Sequence, residues 1–256
     1  MSRLLADLKG PDIAERITGR STIILPLGAV EQHGPHLPLN VDLTVATAFA
    51  DEVVARRGEE LDLWLLPPLA ITKSNEHAWS PGTMWLSPET LLAVVGDIGR
   101  CVATTAARRL VFFNAHGGNT TLLNVACREV RLETGLLTFL LHPSVPPAYG
   151  GTGNEAENGM GIHGGVGETS LMLHLQPEQV DMAKAVRNLP DWMLENTYAR
   201  FGGPVQFGWT SADFGPDGHI GDPTIASAEE GERLFERTVE SLGDQLAEIS
   251  TFDFPT

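Results

Sequence analysis

Only two cysteines, Cys101 and Cys127, occur in the 256 residues. That is too few for a disulfide framework, and a reducing cytoplasm is the expected compartment. Basic residues are also scarce, with 17 lysines and arginines against 33 aspartates and glutamates, for a net charge of −16. Such a polyanion repels phosphate backbones, so nucleic acid is excluded as an expected partner. No apolar run reaches the roughly 18 residues a membrane span needs. The N-terminal Met1-Ser2-Arg3-Leu4-Leu5-Ala6-Asp7 lacks the apolar stretch of a secretory leader. A soluble cytoplasmic chain without membrane partners is the expectation. Certain motifs are missing too. There is no Gly-Lys-Ser/Thr of a P-loop, no Gly-x-Gly-x-x-Gly fingerprint and no Gly-x-Ser-x-Gly elbow, which argues against nucleotide-binding and serine-hydrolase folds. No internal repeat, low-complexity tract or linker breaks the chain, so residues 1–256 are expected to form a single domain.

What is present is an alternation of strand and helix. The apolar run 22–27 predicts a strand buried on both faces, and 61–66 predicts a second. Residues 42–57 carry Val45, Ala46, Phe49, Val53 and Val54 at helical spacing, and 11–19 predict a short amphipathic helix. Ser87-Pro88-Glu89 opens a helix expected to run to about Arg108. A strand over 109–114, a helix over 120–134 and a strand over 136–141 follow. Residues 168–175 predict a helix. Ser227-Ala228-Glu229-Glu230 caps a last one, with Leu234, Thr238, Leu242, Leu246 and Ile249 on one face. This order predicts an α/β fold with three layers, α/β/α, around a mostly parallel sheet. Residues 143–167 read as a long functional loop, and 188–223 as an irregular segment whose Trp192, Trp209 and Phe214 form a lid or subunit contact.

In parallel sheets ligands bind at the carboxyl ends of the strands. Strand 22–27 discharges into Glu31-Gln32-His33, and strand 109–114 into His116-Gly117-Gly118-Asn119. Both groups therefore open on one edge. Glu31 and His33 are two residues apart and face the same way in an extended segment. A surface turn is the plain alternative for that pair, and a simple helix cap the alternative for Asp42. For His116, two following glycines also fit an anion-binding nest. A metal or substrate role is preferred for it. His36, among prolines, is read as a bystander, and His142, His174 and His219 as ordinary polar residues. His163 emerges from the long loop, and its side chain titrates near neutrality, which suits a mobile proton carrier. Glu168 stands at a helix start, where capping competes with a ligand role.

The blocks Leu27-Gly28-Ala29-Val30-Glu31-Gln32-His33-Gly34, Asn40-Val41-Asp42, Ser80-Pro81-Gly82-Thr83, Asn114-Ala115-His116-Gly117-Gly118-Asn119 and His163-Gly164-Gly165-Val166-Gly167-Glu168-Thr169-Ser170 resemble, in order, those of the creatininase family. The resemblance implies a metal-dependent amidohydrolase holding two divalent ions, zinc favoured over manganese or iron, often as a hexameric homo-oligomer. It implies cleavage of a C–N bond in a small cyclic amide or formamide by hydroxide generated at a dinuclear centre. Glu31 and His116 are then expected on one metal, His33 on the other, and Asp42 between them. Creatininase carries a tyrosine and a ligand glutamate where this chain has Gly117 and Gly118, and Glu168 is the expected replacement. It also covers its flat substrate with a tryptophan in the region where Gly159 stands here. Both departures point away from creatinine itself. The His-Gly-Gly-Asn form resembles relatives acting on formamides, or the peptidase of mycofactocin maturation. His163 and Glu168 are the expected catalytic residues; His77, Gly117, Gly118 and Asn119 are the expected substrate contacts. A metallopeptidase trimming a short peptide, or a non-catalytic anion- or nucleotide-binding protein, are the alternatives.

Overall fold

The computed structural model describes residues 2–144 and 155–255. Four strands form one sheet in the order β2-β1-β3-β4, namely β1 (Thr22–Leu27), β2 (Leu63–Leu65), β3 (Arg109–Asn114) and β4 (Leu137–Leu141). Every pairing is parallel. Helices in chain order are α1 (Gly10–Arg16), α2 (Val41–Arg57), α3 (Pro88–Val102), α4 (Thr120–Thr134), α5 (Val166–Leu175), α6 (Asp191–Leu194) and α7 (Ala228–Thr251).

The two-residue period of the strands sorts their side chains into two cores. Ile24, Leu63, Leu65, Val111 and Phe113 face α2, α5 and α7, meeting Phe49, Val53, Met172, Phe235 and Leu242. Ile23, Leu25, Leu27, Trp64, Leu110 and Phe112 face α3 and α4, meeting Leu91, Val95, Leu123 and Val130. Strands covered on both sides have no use for polar alternation, so β1 and β3 are buried throughout. The result is the α/β/α layering that the sequence predicts.

Three features differ from expectation for local reasons. Helix α3 stops at Val102, because the Thr104 and Thr105 hydroxyls donate to the carbonyls of Cys101 and Val102 and close it there. On α7 the buried stripe runs through Phe235, Val239, Leu242 and Leu246, one residue on from the expected Leu234 and Thr238. Segment 188–223 is not a bare loop. Its Phe214 is buried and packs with Met160, Leu189, Met193 and Ile220 in a third small core, flanked by Phe201 and Trp209. Of the aromatics expected to make a lid, Trp192 is the exposed one.

Register then positions the site. Leu27 pairs with Asn114, so β1 and β3 end level with each other. Helix α2 returns so close to the end of β1 that a Cβ on Gly28 would lie 2.5 Å from the backbone of Leu43. Glycine is required there, and the close approach carries Asp42 to the strand ends.

Candidate metal centre

Five of the residues singled out from the sequence converge beyond the ends of β1 and β3. Glu31, His33, Asp42 and His116 are buried, and Glu168 is partly exposed. His33 Nε2 lies 3.3 Å from Asp42 Oδ1, 3.9 Å from Glu168 Oε2 and 4.0 Å from Glu31 Oε1. On the other side of Asp42, His116 Nδ1 lies 3.0 Å from Asp42 Oδ2, and its Nε2 3.4 Å from Glu31 Oε2. Two sets of donors, Glu31–Asp42–His116 and His33–Asp42–Glu168, are each compact enough to hold one ion, and they share Asp42. Asp42 is therefore more than a helix cap: its carboxylate faces two imidazoles from the second residue of α2.

The imidazoles are oriented as ligands. His33 Nδ1–H donates to the Glu31 carbonyl at 3.1 Å, which leaves the Nε2 lone pair facing the carboxylates. His116 Nε2–H donates to the Lys73 carbonyl at 2.8 Å, which leaves Nδ1 facing Asp42. A backbone carbonyl that fixes the outer nitrogen of a histidine is the usual support of a metal ligand. His33 Nε2 is fully buried and has no hydrogen-bond partner among the described residues. An orphaned lone pair surrounded by three carboxylates is costly unless a cation fills the gap. The residues fit two divalent ions of zinc or manganese type, nitrogen and oxygen donors being suited to both.

Without metal, the cluster holds protons in place of cations. Burial opposes charge on the His33 ring, but Asp42, then Glu168 and Glu31, outweigh it and push the group up to about 10. Burial likewise opposes charge on His116, and Glu31 with Asp42 raises it to about 10. Glu31 is pushed up to about 8, chiefly by burial. Asp42 goes the other way: burial would raise it, and the His33 and His116 charges overcome that and lower it.

A second pair of imidazoles borders this centre. His77 Nε2 lies 3.3 Å and His163 Nδ1 3.6 Å from the same oxygen, Glu31 Oε1. The His163 ring lies 4.3 Å from that of His33 and 4.2 Å from that of His77. Its backbone bridges to Ile220. The expectation of a swinging residue on a flexible loop is thus corrected: contact with two neighbouring rings and a backbone bridge hold His163 in place. Burial first, then the charges of His33 and His77, keep it well below the ordinary imidazole value, so it is neutral rather than near titration. His77 belongs to the same chain as the rest of the cluster. His36 stands outside both ligand sets, its Nε2 2.9 Å from the Thr169 hydroxyl.

The Gly117–Asn119 turn plays a different part from the one expected. Asn119 is fully buried; its amide accepts from Lys73 N–H and donates to Thr72 Oγ1 and Asn114 Oδ1. Its polar atoms are committed to holding the 72–73 segment, which explains why no donor is left for substrate. Neither Gly117 nor Gly118 adopts a positive φ, so the alternating backbone of an anion nest is not formed. Gly118 matters for space: a Cβ there would lie 2.0 Å from Glu76 Oε1 and 2.4 Å from His116 Nε2.

Three polar residues of the site escaped the sequence reading. Ser74 donates to Glu31 Oε2. Glu76 is buried, 3.8 Å from His116, and pairs with Lys73 Nζ at 2.6 Å. Gln32 joins His77, His163 and Gly218. The signal for the first two was available: they share with His77 one polar stretch, Lys73-Ser74-Asn75-Glu76-His77. The expected loop 143–167 lies partly outside the described residues, at 145–154; what is described of it brings His163 to the centre and Glu157 behind it, at the start of α5.

A parallel α/β/α sheet with histidine and carboxylate ligands clustered at its carboxyl edge defines the class, an α/β protein built around a candidate metal centre. The sequence pattern of the creatinine amidohydrolase family matches residues 6–246, and the chain belongs to that family of metal-dependent hydrolases. It is 37% identical over 233 residues to a mycofactocin precursor peptide peptidase of Mycobacterium ulcerans (strain Agy99), covering 88% of this chain and 84% of the other. It is 33% identical over 246 residues to a creatinine amidohydrolase of Pseudomonas putida, covering 90% of each. A solved creatininase variant described as Zn-Zn type matches with a TM-score of 0.75 at 29% identity, over 98% of this chain and 100% of the other.

Proposed function

We propose that the chain hydrolyses the amide bond of a short peptide near its end, using two divalent ions held by Glu31, His33, Asp42, His116 and Glu168. The observation that carries the hydrolytic reading is the pair of ligand sets meeting at Asp42. Two ions bound there would supply an activated water at neutral pH and polarise an amide carbonyl.

The residues around them have separable tasks. Glu168, with 30% of its side chain exposed, is the ligand carboxylate that reaches solvent, and burial raises its pKa. A carboxylate at the mouth with raised basicity suits acceptance of a proton from incoming water. It also accepts Gly164 N–H at 2.6 Å, which ties it to the loop carrying His163. His163, neutral and fixed in place, would hold the departing nitrogen by a hydrogen bond, the proton for that nitrogen coming from the attacking water by way of Glu168, and His77 lies beside it.

Two features favour a peptide over a small ring. The mycobacterial relative named for a peptide substrate is 37% identical. In addition, a Cβ on Gly159 would meet nothing within 4 Å among the described residues. Where the family resemblance puts a tryptophan over a flat substrate, this chain has a glycine without a side chain to cover one. Hydrolysis of a cyclic amide is the second reading, favoured by the 33% identity to a creatinine amidohydrolase. The anion-binding alternative loses its support with the missing nest.

The test is hydrolysis by zinc- or manganese-reconstituted protein of short peptides, creatinine, other lactams and formamides, with products resolved by mass. Release of an amino acid or dipeptide, abolished in His116→Ala, is the expected result. Ring opening or formate release with inert peptides would overturn the substrate assignment.

A further inference from the structure

We infer that Gln32 is a positioning residue that fixes which nitrogen carries the proton in both His77 and His163. The inference deepens the hydrolytic reading and rests on it only for the consequence in turnover. The orientation of the Gln32 amide is set by backbone groups alone. Gly34 N–H donates to its Oε1 at 2.9 Å, and its Nε2 donates to the Gly218 carbonyl at 2.8 Å. A flipped amide would set donor against donor and acceptor against acceptor, so the nitrogen must point toward Gly218.

That same nitrogen lies 3.1 Å from His77 Nδ1 and 3.1 Å from His163 Nε2. An amide nitrogen accepts no hydrogen bond. A proton on either of those ring nitrogens would face an N–H at contact distance. Both must therefore carry lone pairs, and they share the hydrogen that Gly218 does not take. In a neutral imidazole the other nitrogen then holds the proton: Nε2 in His77 and Nδ1 in His163. Those atoms are the ones 3.3 and 3.6 Å from Glu31 Oε1.

The four imidazoles are thus sorted in opposite senses by what touches their outer edges. Carbonyls of Glu31 and Lys73 accept hydrogen bonds from His33 and His116, turning lone pairs inward. Gln32 donates a hydrogen bond to His77 and His163, turning their N–H groups inward. This also separates a real from an apparent ligand set. Glu31, His33 and His163 are close enough to surround an ion, yet His163 presents a hydrogen there. Gly218 adds a reason for the arrangement to be rigid: its φ of +63° and the 2.7 Å from its ideal Cβ to Gln32 Nε2 admit only glycine.

The tautomers are read directly from two-bond proton–nitrogen correlation spectra of protein labelled with 15N-histidine, before and after zinc loading. His77→Asn and His163→Asn assign the signals. Expected are an Nε2–H tautomer for His77 and an Nδ1–H tautomer for His163 in the unmodified chain. In Gln32→Glu, whose carboxylate accepts where the amide donated, both patterns should invert or become doubly protonated. The opposite tautomer at either ring in the unmodified chain, or unchanged spectra in Gln32→Glu, would overturn the assignment. In turnover, Gln32→Glu should lower kcat about 100-fold, the scale of one proton-transfer contribution, with metal content and KM little changed. Unchanged kcat beside inverted tautomers would refute the role in catalysis. Failure of the substrate reading would leave the spectra as expected, so the two failures are distinguishable.

Discussion

His33 Nε2 and Asp42 Oδ1 face each other at 3.3 Å, one from the loop after β1 and one from the first turn of α2, and no hydrogen bond among the described residues satisfies the nitrogen. The opposite oxygen of Asp42 faces His116 at 3.0 Å. One carboxylate thereby serves two imidazoles, and the asymmetry of its neighbours leads to separate outcomes for separate substitutions.

Glu168 belongs to the His33 side of the centre only. Glu168→Gln keeps the shape and removes the charge, so it should lose about one of two bound ions while Glu31, Asp42 and His116 retain the other. Activity should fall by at least ~100-fold, in the range of losing a catalytic carboxylate. Metal analysis beside a rate measurement checks this. Full metal content with normal turnover would show that another group completes the site.

Metal uptake should release protons. His33 and His116, each pushed up to about 10, hold protons in the metal-free chain at neutral pH, and Glu31, pushed up to about 8, holds one below that value. Cations must displace them, so apparent affinity should rise with pH up to about 10, most steeply below about 8, where Glu31 also holds a proton. Zinc titration in weak buffer with a pH indicator measures the release. Affinity independent of pH would mean that the ligands are already deprotonated.

Gly118→Ala puts a methyl group where Glu76 and His116 already stand. Glu76 can swing aside, but His116 is held by the Lys73 carbonyl. The variant should lose on the order of 1–3 kcal/mol of stability from overpacking, and its metal affinity at the Glu31–Asp42–His116 set should drop more than at the other. Thermal unfolding with and without zinc reads both. Tolerance of alanine with unchanged affinity would show that the turn yields freely.

Much of this was legible in the chain. The bounds of β1, β3 and α4 follow from apolar runs and turn residues, since a strand covered on both faces and a helix between glycine turns leave strong local signals. Parallel order then forces Glu31, His33 and His116 to one edge, which is why those residues could be paired before any coordinates. Gln32 was not legible. Its partners lie 45, 131 and 186 residues away, and nothing local distinguishes a hub from a solvated glutamine. Asn119 misled for the opposite reason: an asparagine beside a site histidine looks available until its three partners are known. For His163, glycine-rich neighbours suggested mobility, whereas the flanking glycines let the backbone pack tightly, as the 3.0 Å from an ideal Gly164 Cβ to the His33 carbonyl oxygen shows.

The central claim is that Asp42 joins two ions in one centre. Metal content of the chain purified without chelator, measured beside Asp42→Asn, tests it most directly. Two equivalents of zinc, manganese or iron per chain are expected, falling toward none in Asp42→Asn because both ligand sets lose their shared carboxylate. Less than about one equivalent in the unmodified chain, or two retained in Asp42→Asn, would contradict the account.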